Sequence, residues 1–533
     1  MNASSAPNVI AEDLRARITG SAELALLDVR ESGIFTTNHI LQARSAPLSR
    51  LEILIDDFLP RKSVPIVVCD AGGELAKQAA DRLAGFGYTD VSVLEGGIDG
   101  WKDAGYVLFS GFNVPSKAFG EFVEHREATP NISAEDLHGL IEGDADLVVL
   151  DSRPYDEYHR MNIPTGIDAP GAELVYRVHD MAPDPATLVV VNCAGRTRSI
   201  IGAQSLINAG IPNKVMALTN GTMGWVLAGY ECGKGSTDVA PPPGNSGLTA
   251  AHEAGARVTA RYGVSTTNMD EVDGWRDDDS RSLYLLDVRT IEEYEAGHLA
   301  GAIHAPGGQL VQGTDSYVGV LNARIVLIDD QSVRAVMSAH WLIQMGWTDV
   351  HVLDELDGAE LVKGRHSPKI YGLEGAGPDA VDAAGLKTML DGGGTVVLDL
   401  ADSRVYGQGH IPGAWFAVRS RLETGLKALP AHDHLVLTSE DGGVLAKLVA
   451  GEAAAFSSAR LSVLAGGTAA WTAAGYGLTK GPENLADEAD DVVLKPYDGP
   501  GGAEARMQAY IDWELDLPRL IEEDGTSDFR TFD

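Results

Sequence analysis

The sequence predicts an α/β protein of four small tandem domains, each a central, mostly parallel sheet with helices on both faces. Three observations predict it. The chain has 533 residues, too many for one domain at roughly 100–200 residues each. One strand motif recurs four times. Short β-branched strands alternate with helical patterns, as in parallel sheets buried on both faces.

The recurring strand ends in aspartate: Leu26-Leu27-Asp28-Val29-Arg30, Val149-Leu150-Asp151-Ser152-Arg153, Leu285-Leu286-Asp287-Val288-Arg289 and Val397-Leu398-Asp399-Leu400-Ala401. The spacings of 123, 136 and 112 residues are those of a small domain, not of a solenoid repeat. A second landmark, containing His39, Asn162, His298 or His410, follows each aspartate by 11 to 12 residues and reads as a feature of the fold. A third is a continuous apolar strand feeding a loop and a helix: Pro65–Val68, Leu188–Val191, Ile325–Ile328 and Leu435–Leu437. After the second of these, Ile200, Ala203, Leu206 and Ile207 fall at helical spacing, and Gly210 stands where a helix stops. The fourth landmark is a glycine turn, then Trp101, Trp225 or Trp471, then Ala-Gly-Tyr. The third unit has Asp354-Glu355-Leu356-Asp357-Gly358 instead and reads as decayed.

The expected organisation is a first domain over 1–112, a second over 129–235, a third over 258–366, a fourth over 378–482, and an acidic tail over 483–533. Residues 235–247 are rich in Pro, Gly and Ser and read as a linker, as do 372–378. Residues 114–129 read as a short helix carrying Phe119, Phe122 and Val123. The tail holds 15 acidic and 4 basic residues. Trp513, Leu517 and Leu520 have helical spacing, so 510–521 is expected to dock on the body and 483–503 to be mobile.

With 41 basic and 77 acidic residues the net charge is −36, which disfavours nucleic acid as a partner. No apolar run approaches about 18 residues, so no membrane span is expected. The N-terminus lacks the basic and apolar regions of a secretory signal. Three cysteines cannot form a disulfide scaffold, and a reducing, cytoplasmic setting fits best. No cysteine pair has zinc spacing, and no metal or cofactor is expected.

Ligands of open α/β sheets bind at the carboxyl ends of strands. The second unit has Cys193-Ala194-Gly195-Arg196-Thr197-Arg198-Ser199 there. Unsatisfied amides at a helix start, with the helix dipole, favour a thiolate and an anion. Gly195 lets the backbone curl, and Arg196 and Arg198 supply planar donors for sulfonate, phosphate or carboxylate oxygens. The alternative is an inert core cysteine flanked by solvated arginines. The first unit offers Cys69 but surrounds it with Asp70 and Glu74, which raise a thiol pKa and repel anions. The third (Asp329-Asp330-Gln331) and fourth (Ser439-Glu440-Asp441) loops lack a thiol and read as non-catalytic. Cys232 is either a spectator or a resolving thiol.

Taken together, Asp151-Ser152-Arg153 with Glu157-Tyr158, the Cys193 loop and Gly221…Trp225…Ala228-Gly229 resemble the rhodanese-like domains of four-domain bacterial sulfurtransferases. The resemblance covers nearly everything before the tail and departs from the family at Asn162, where histidine is common. It implies that Cys193–Arg198 is a six-residue active loop, one residue shorter than in the related phosphatases and arsenate reductases. It also implies that cationic Arg196 and Arg198 go with thiosulfate rather than 3-mercaptopyruvate. The implied chemistry is double displacement through a Cys193 persulfide, with a small sulfur-containing anion as donor and cyanide or a cellular thiol as acceptor. Ala194, Gly195, Arg196, Thr197, Arg198 and Ser199 are the expected substrate-binding positions. Asp151 and Arg153 either brace the loop or form a purely structural ion pair. A persulfide carrier with little turnover or a 3-mercaptopyruvate sulfurtransferase remains an alternative, and last a cysteine phosphatase or arsenate reductase. The three inert units are open to a role as surfaces for protein partners.

Overall fold

A computed structural model describes residues 6–354, 356, 359–374, 377–498 and 501–532. It contains four five-stranded sheets of identical order. In the second unit the edge strand Asn131–Ile132 pairs with Val215–Leu218, followed by Leu188–Asn192, Leu147–Asp151 and Ile167–Asp168. Every pairing within these four sheets is parallel. The central strands are buried on both faces, which is why they read as unbroken β-branched runs.

The repeated landmarks have physical causes. Arg30, Arg153 and Arg289 each fold back onto Asp28, Asp151 and Asp287 two residues earlier and form a buried, bidentate pair. The second landmark pins a turn: His39, His298 and His410 donate from Nδ1 to the carbonyl four residues earlier. Asn162 makes the same bond, from Nδ2 to the Tyr158 carbonyl at 3.1 Å, so its departure from histidine keeps the turn. In the fourth unit Ala401 replaces the arginine, and burial pushes the Asp399 carboxyl up to about 7.

The first three units share one continuous apolar core, which runs through Leu27 and Val68, Leu150 and Val191, and Leu286 and Leu327. The fourth has its own core around Leu398, Leu437 and Val449. It joins the first through charge: Arg419 is buried between Glu52 and Glu452, and Arg82 bridges the same two carboxylates.

Three connecting segments matter for the site. The expected helix after the first unit is Val114–Glu127, with Pro115 in its first turn, where a missing amide costs nothing. A helix not anticipated, Asn245–Tyr262, packs between Glu173–Met181 of the second unit and Val333–Gln344 of the third. Its buried Ala251, Ala254, Val258 and Tyr262 follow a helical period that the flanking Pro-Gly-Ser stretch obscured. The tail carries the helix Ala503–Asp524, which packs on Val114–Glu127, where Leu517 joins Val114 and Ala118, and on Gly221–Leu227, where Ile511 joins Met223.

The expectation of a mobile 483–503 is corrected for the described part. Ala486 donates its amide to Phe416, Arg421 binds Asp487 and Asp490, and Lys495 binds Glu157. Asp487 and Asp490 find an arginine on the body, and the segment's own Lys495 finds a body carboxylate, so part of the charge that suggested disorder is instead neutralised locally. Of the third unit's divergent motif, Glu355, Asp357 and Gly358 lie outside the described residues. Among the described residues no helix is long and apolar enough to cross a membrane.

Candidate active site

The strand Leu188–Asn192 delivers Cys193 to the carboxyl end of its sheet, and the helix Thr197–Ala209 begins four residues later. Contacts from two sides clamp the loop. Ser152 donates its amide and hydroxyl to the Asn192 carbonyl, at 2.9 and 2.8 Å, and its hydroxyl also reaches the Arg198 carbonyl at 3.2 Å. Asn192 Nδ2 donates to Asp151 Oδ2 at 2.9 Å, so the buried Asp151–Arg153 pair is tied to the residue before the cysteine. From the other side the amides of Thr222 and Met223 donate to the carbonyls of Cys193 and Ala194. That approach needs Gly221: its φ is 53°, and a Cβ there would stand 2.3 Å from the Cys193 oxygen. The glycine turn that marks the repeat is thus the lower jaw of the loop.

Cys193 is 2% exposed and its Sγ lies 3.3 Å from Ser199 Oγ. Burial pushes its thiol up, against the opposing charge of Arg198 and the hydroxyl and amide of Ser199. This corrects the expectation that helix start and arginines alone would favour the thiolate. The reason is the cover: the C-terminal helix lies over the loop, removes water and brings the Glu514 carboxyl close.

The two arginines part company. Arg196 turns away from the cradle. Its Nε and Nη2 clasp Glu121, Nη2 also binds Glu124, and Nη1 donates to Asn220 at 3.1 Å. Sequence reasoning placed it toward substrate oxygens; the carboxylates of the connecting helix claim its donors instead. Gly120 permits this approach, since a Cβ there would be 2.9 Å from Thr197 Cγ2. The Thr197 hydroxyl likewise points outward, donating to Glu514 Oε1 at 2.9 Å. Arg198 stays beside the thiol, held by Glu157 at 2.9 Å and by Gln309 of the third unit at 3.2 Å. With Arg198 and Lys495 against it, the Glu157 carboxyl is held down at about 2.

The other three loops show what sets this one apart. In the first unit Asp70 accepts the amides of Gly72, Gly73 and Ala76. In the third, Asp329 accepts those of Gln331 and Arg334 and pairs with the Arg334 guanidinium. In the fourth, Asp441 accepts the Leu445 amide and Ser439 that of Ala446. Each of these cradles is filled by a side chain of its own loop. Among the described residues no side-chain oxygen accepts from the amides of Ala194 to Arg198.

The model of the rhodanese-like domain matches four times, at residues 10–104, 133–228, 268–355 and 382–474. The chain belongs to the rhodanese-like family. The crystal structure of thiosulfate sulfurtransferase from Pseudomonas aeruginosa is similar over the whole length: 46% identity, 99% of this chain, 100% of that one, TM-score 0.94. A putative sulfur carrier protein, YrkF of Bacillus subtilis, is 34% identical over 73 residues, 14% of this chain and 38% of that protein's length.

Within this rhodanese-like assembly the Cys193 loop opens on a cavity of about 960 Å³ walled by all four units and the tail. Ala194, Arg198 and Met223 form its floor on the second unit, with Lys117, Lys495 and Tyr510 around them. Burial lowers Lys117 to about 8. Cys69 sits at the equivalent strand end of the first unit, fully buried, with its thiol raised by burial and by Asp28 and Asp70. Cys232 packs in the apolar cluster around Trp225, its thiol pushed up to about 11 by burial. All three cysteines are free. Sequence reasoning missed Ser152 as a clamp, and Glu121, Gln309, Glu514 and Tyr510 as neighbours of the loop. For Glu514 a signal existed: an acidic residue on the same helical face as Leu517.

Proposed function

We propose that the chain is a sulfurtransferase that moves sulfane sulfur from thiosulfate to a thiophilic acceptor through a persulfide on Cys193. The observation that carries this reading is the amide cradle of the second loop, which has a cysteine at its base and no carboxylate of its own inside it. The full-length similarity to a thiosulfate sulfurtransferase supports the choice of donor.

In the first step the Cys193 thiolate attacks the outer sulfur of thiosulfate. The sulfur–sulfur bond of the donor breaks, and its electron pair leaves on sulfite. The cradle amides and Arg198 stabilise charge on the departing group and then on the terminal sulfur of the persulfide. In the second step cyanide or a thiol attacks that terminal sulfur, the persulfide bond breaks, and the Cys193 thiolate returns. Arg196 contributes by fixing the loop to the connecting helix, and Asp151 and Arg153 brace it from the neighbouring strand. Small sulfur anions and a thiol acceptor are the partners of this reading. A cytoplasmic, reducing setting suits three free cysteines, and the inert units are available as protein-binding surfaces.

A second reading, a persulfide carrier with slow turnover, is favoured by the near-complete burial of Cys193. Steady-state kinetics with thiosulfate and cyanide separate the two. The transferase reading predicts parallel-line kinetics, with sulfite and thiocyanate formed one to one over many turnovers. A single burst of sulfite that stops at one per chain would establish the carrier. A six-residue loop with one arginine at the cradle argues against a phosphatase, which hydrolysis of an aryl phosphate would reinstate.

A further inference from the structure

The C-terminal helix sets one carboxyl against the active loop. Glu514 is 1% exposed. Its Oε1 accepts the Thr197 hydroxyl at 2.9 Å and stands 3.4 Å from the Tyr510 hydroxyl. Its Oε2 is buried, has no hydrogen-bond partner among the described residues, and lies at Gly195, where an added Cβ would be 3.3 Å from it. Lys117 and Glu121 face it from the connecting helix, Arg196 and Thr197 from the loop and its helix, Tyr510 from its own helix, and Cys193 from below. The two cations are committed elsewhere. Lys117 donates to the Phe112 carbonyl, and Arg196 is clasped by Glu121 and Glu124. Among the described residues the carboxyl therefore has no direct counter-ion, and burial pushes it up to about 7.

We propose that Glu514 is a positioning residue that sets the charge the Cys193 loop will admit. Protonated, it holds Thr197 and leaves the cradle to a dianion; ionised, it repels both the dianion and the thiolate. The reasoning is electrostatic. A carboxylate with an unpaired oxygen on a water-poor loop opposes a second negative charge far more strongly than it would in solution. A glutamine would satisfy the Thr197 hydroxyl as well, so the charge is separable from the hydrogen bond.

The inference rests on Cys193 being the reactive centre, and the test needs two readouts so that either idea can fail alone. The first is the pH dependence of KM for thiosulfate in the full chain. Wild type should show KM rising roughly tenfold between pH 6 and pH 8. Glu514→Gln should lose that rise, keeping only the fall in affinity above pH 8 that belongs to Lys117. Lys117→Gln should move the wild-type inflection upward, because it removes the cation that favours ionised Glu514. The second readout is the ratio of Cys193 alkylation rates by iodoacetate and iodoacetamide, followed by intact mass. The ratio cancels the thiolate fraction and compares an anion with a neutral reagent at the same sulfur. It should fall through pH 7 in wild type and stay level in Glu514→Gln. Identical profiles in wild type and Glu514→Gln, with both variants folded by circular dichroism, would overturn the proposal. Absence of thiosulfate turnover with the alkylation ratio still falling would reject the donor and keep the role of Glu514.

Discussion

Asp70 Oδ1 accepts the amide of Gly72 at 2.7 Å, so the first unit fills with its own carboxylate the cradle that the second leaves open. The same device recurs at Asp329 and Asp441. A cysteine alone therefore does not leave the cradle open, since the first unit retains one.

Removing that carboxylate should expose the retained thiol. Asp70→Ala deprives three amides of their acceptor and should cost about 1–3 kcal/mol of stability. It also removes a like charge from Cys69. In a Cys193→Ala, Cys232→Ala background, labelling of Cys69 by iodoacetamide at pH 8 should accelerate about fivefold. An unchanged labelling rate would mean that burial alone silences Cys69.

Arg196 predicts a stability effect that a substrate-facing arginine would not. Glu121→Ala leaves a buried guanidinium short of its main partner, and denaturant unfolding should show a loss of about 3 kcal/mol. Glu124→Ala, whose side chain is more exposed, should cost about 1 kcal/mol. Equal and negligible losses would show that Arg196 finds water instead.

The Ser152 clamp should affect geometry more than chemistry. Ser152→Ala loses the hydroxyl bonds to Asn192 and Arg198 and should cost about 1 kcal/mol. The ratio kcat/KM for thiosulfate should fall about tenfold, while sulfur loading still reaches one per chain. A full-rate Ser152→Ala would remove the hydroxyl from the account of loop positioning.

The fourth unit carries a pH-dependent liability. Folded Asp399 holds its proton up to about pH 7, whereas an unfolded aspartate loses it near 3.8. The folded state then binds more protons, so stability is full below pH 3.8 and declines as pH rises toward 7. Asp399→Asn removes this dependence and should raise the melting temperature at pH 8 with little change at pH 4. A gain equal at both pH values would contradict the linkage.

The four units were legible because their signals are local. Continuous β-branched strands, the Asp-x-Arg pair two residues apart, the histidine turn and the glycine turn each act within a few residues. Cys193 was legible for the same reason: strand, thiol, glycine and helix start are contiguous. The partners of the loop were not. Arg196 finds Glu121 across 75 positions, and Thr197 finds Glu514 across 317. Spacing cannot encode such pairings; they follow from how the connecting helix and the C-terminal helix pack. The tail was misread for a related reason. Its acidic composition resembles a solvated chain until Arg421 and Arg160 of the body are seen to receive Asp487, Asp490 and Asp498, and the tail's own Lys495 to bind Glu157.

The central claim is that one sulfur of four homologous units carries the chemistry, and intact mass tests it most directly. Wild type, Cys193→Ala and Cys69→Ala are each incubated with thiosulfate, weighed, and weighed again after cyanide. The account predicts a gain of one sulfur atom on wild type and Cys69→Ala, cleared by cyanide, and no gain on Cys193→Ala. A gain that persists in Cys193→Ala would contradict it and move the reactive sulfur to another cysteine.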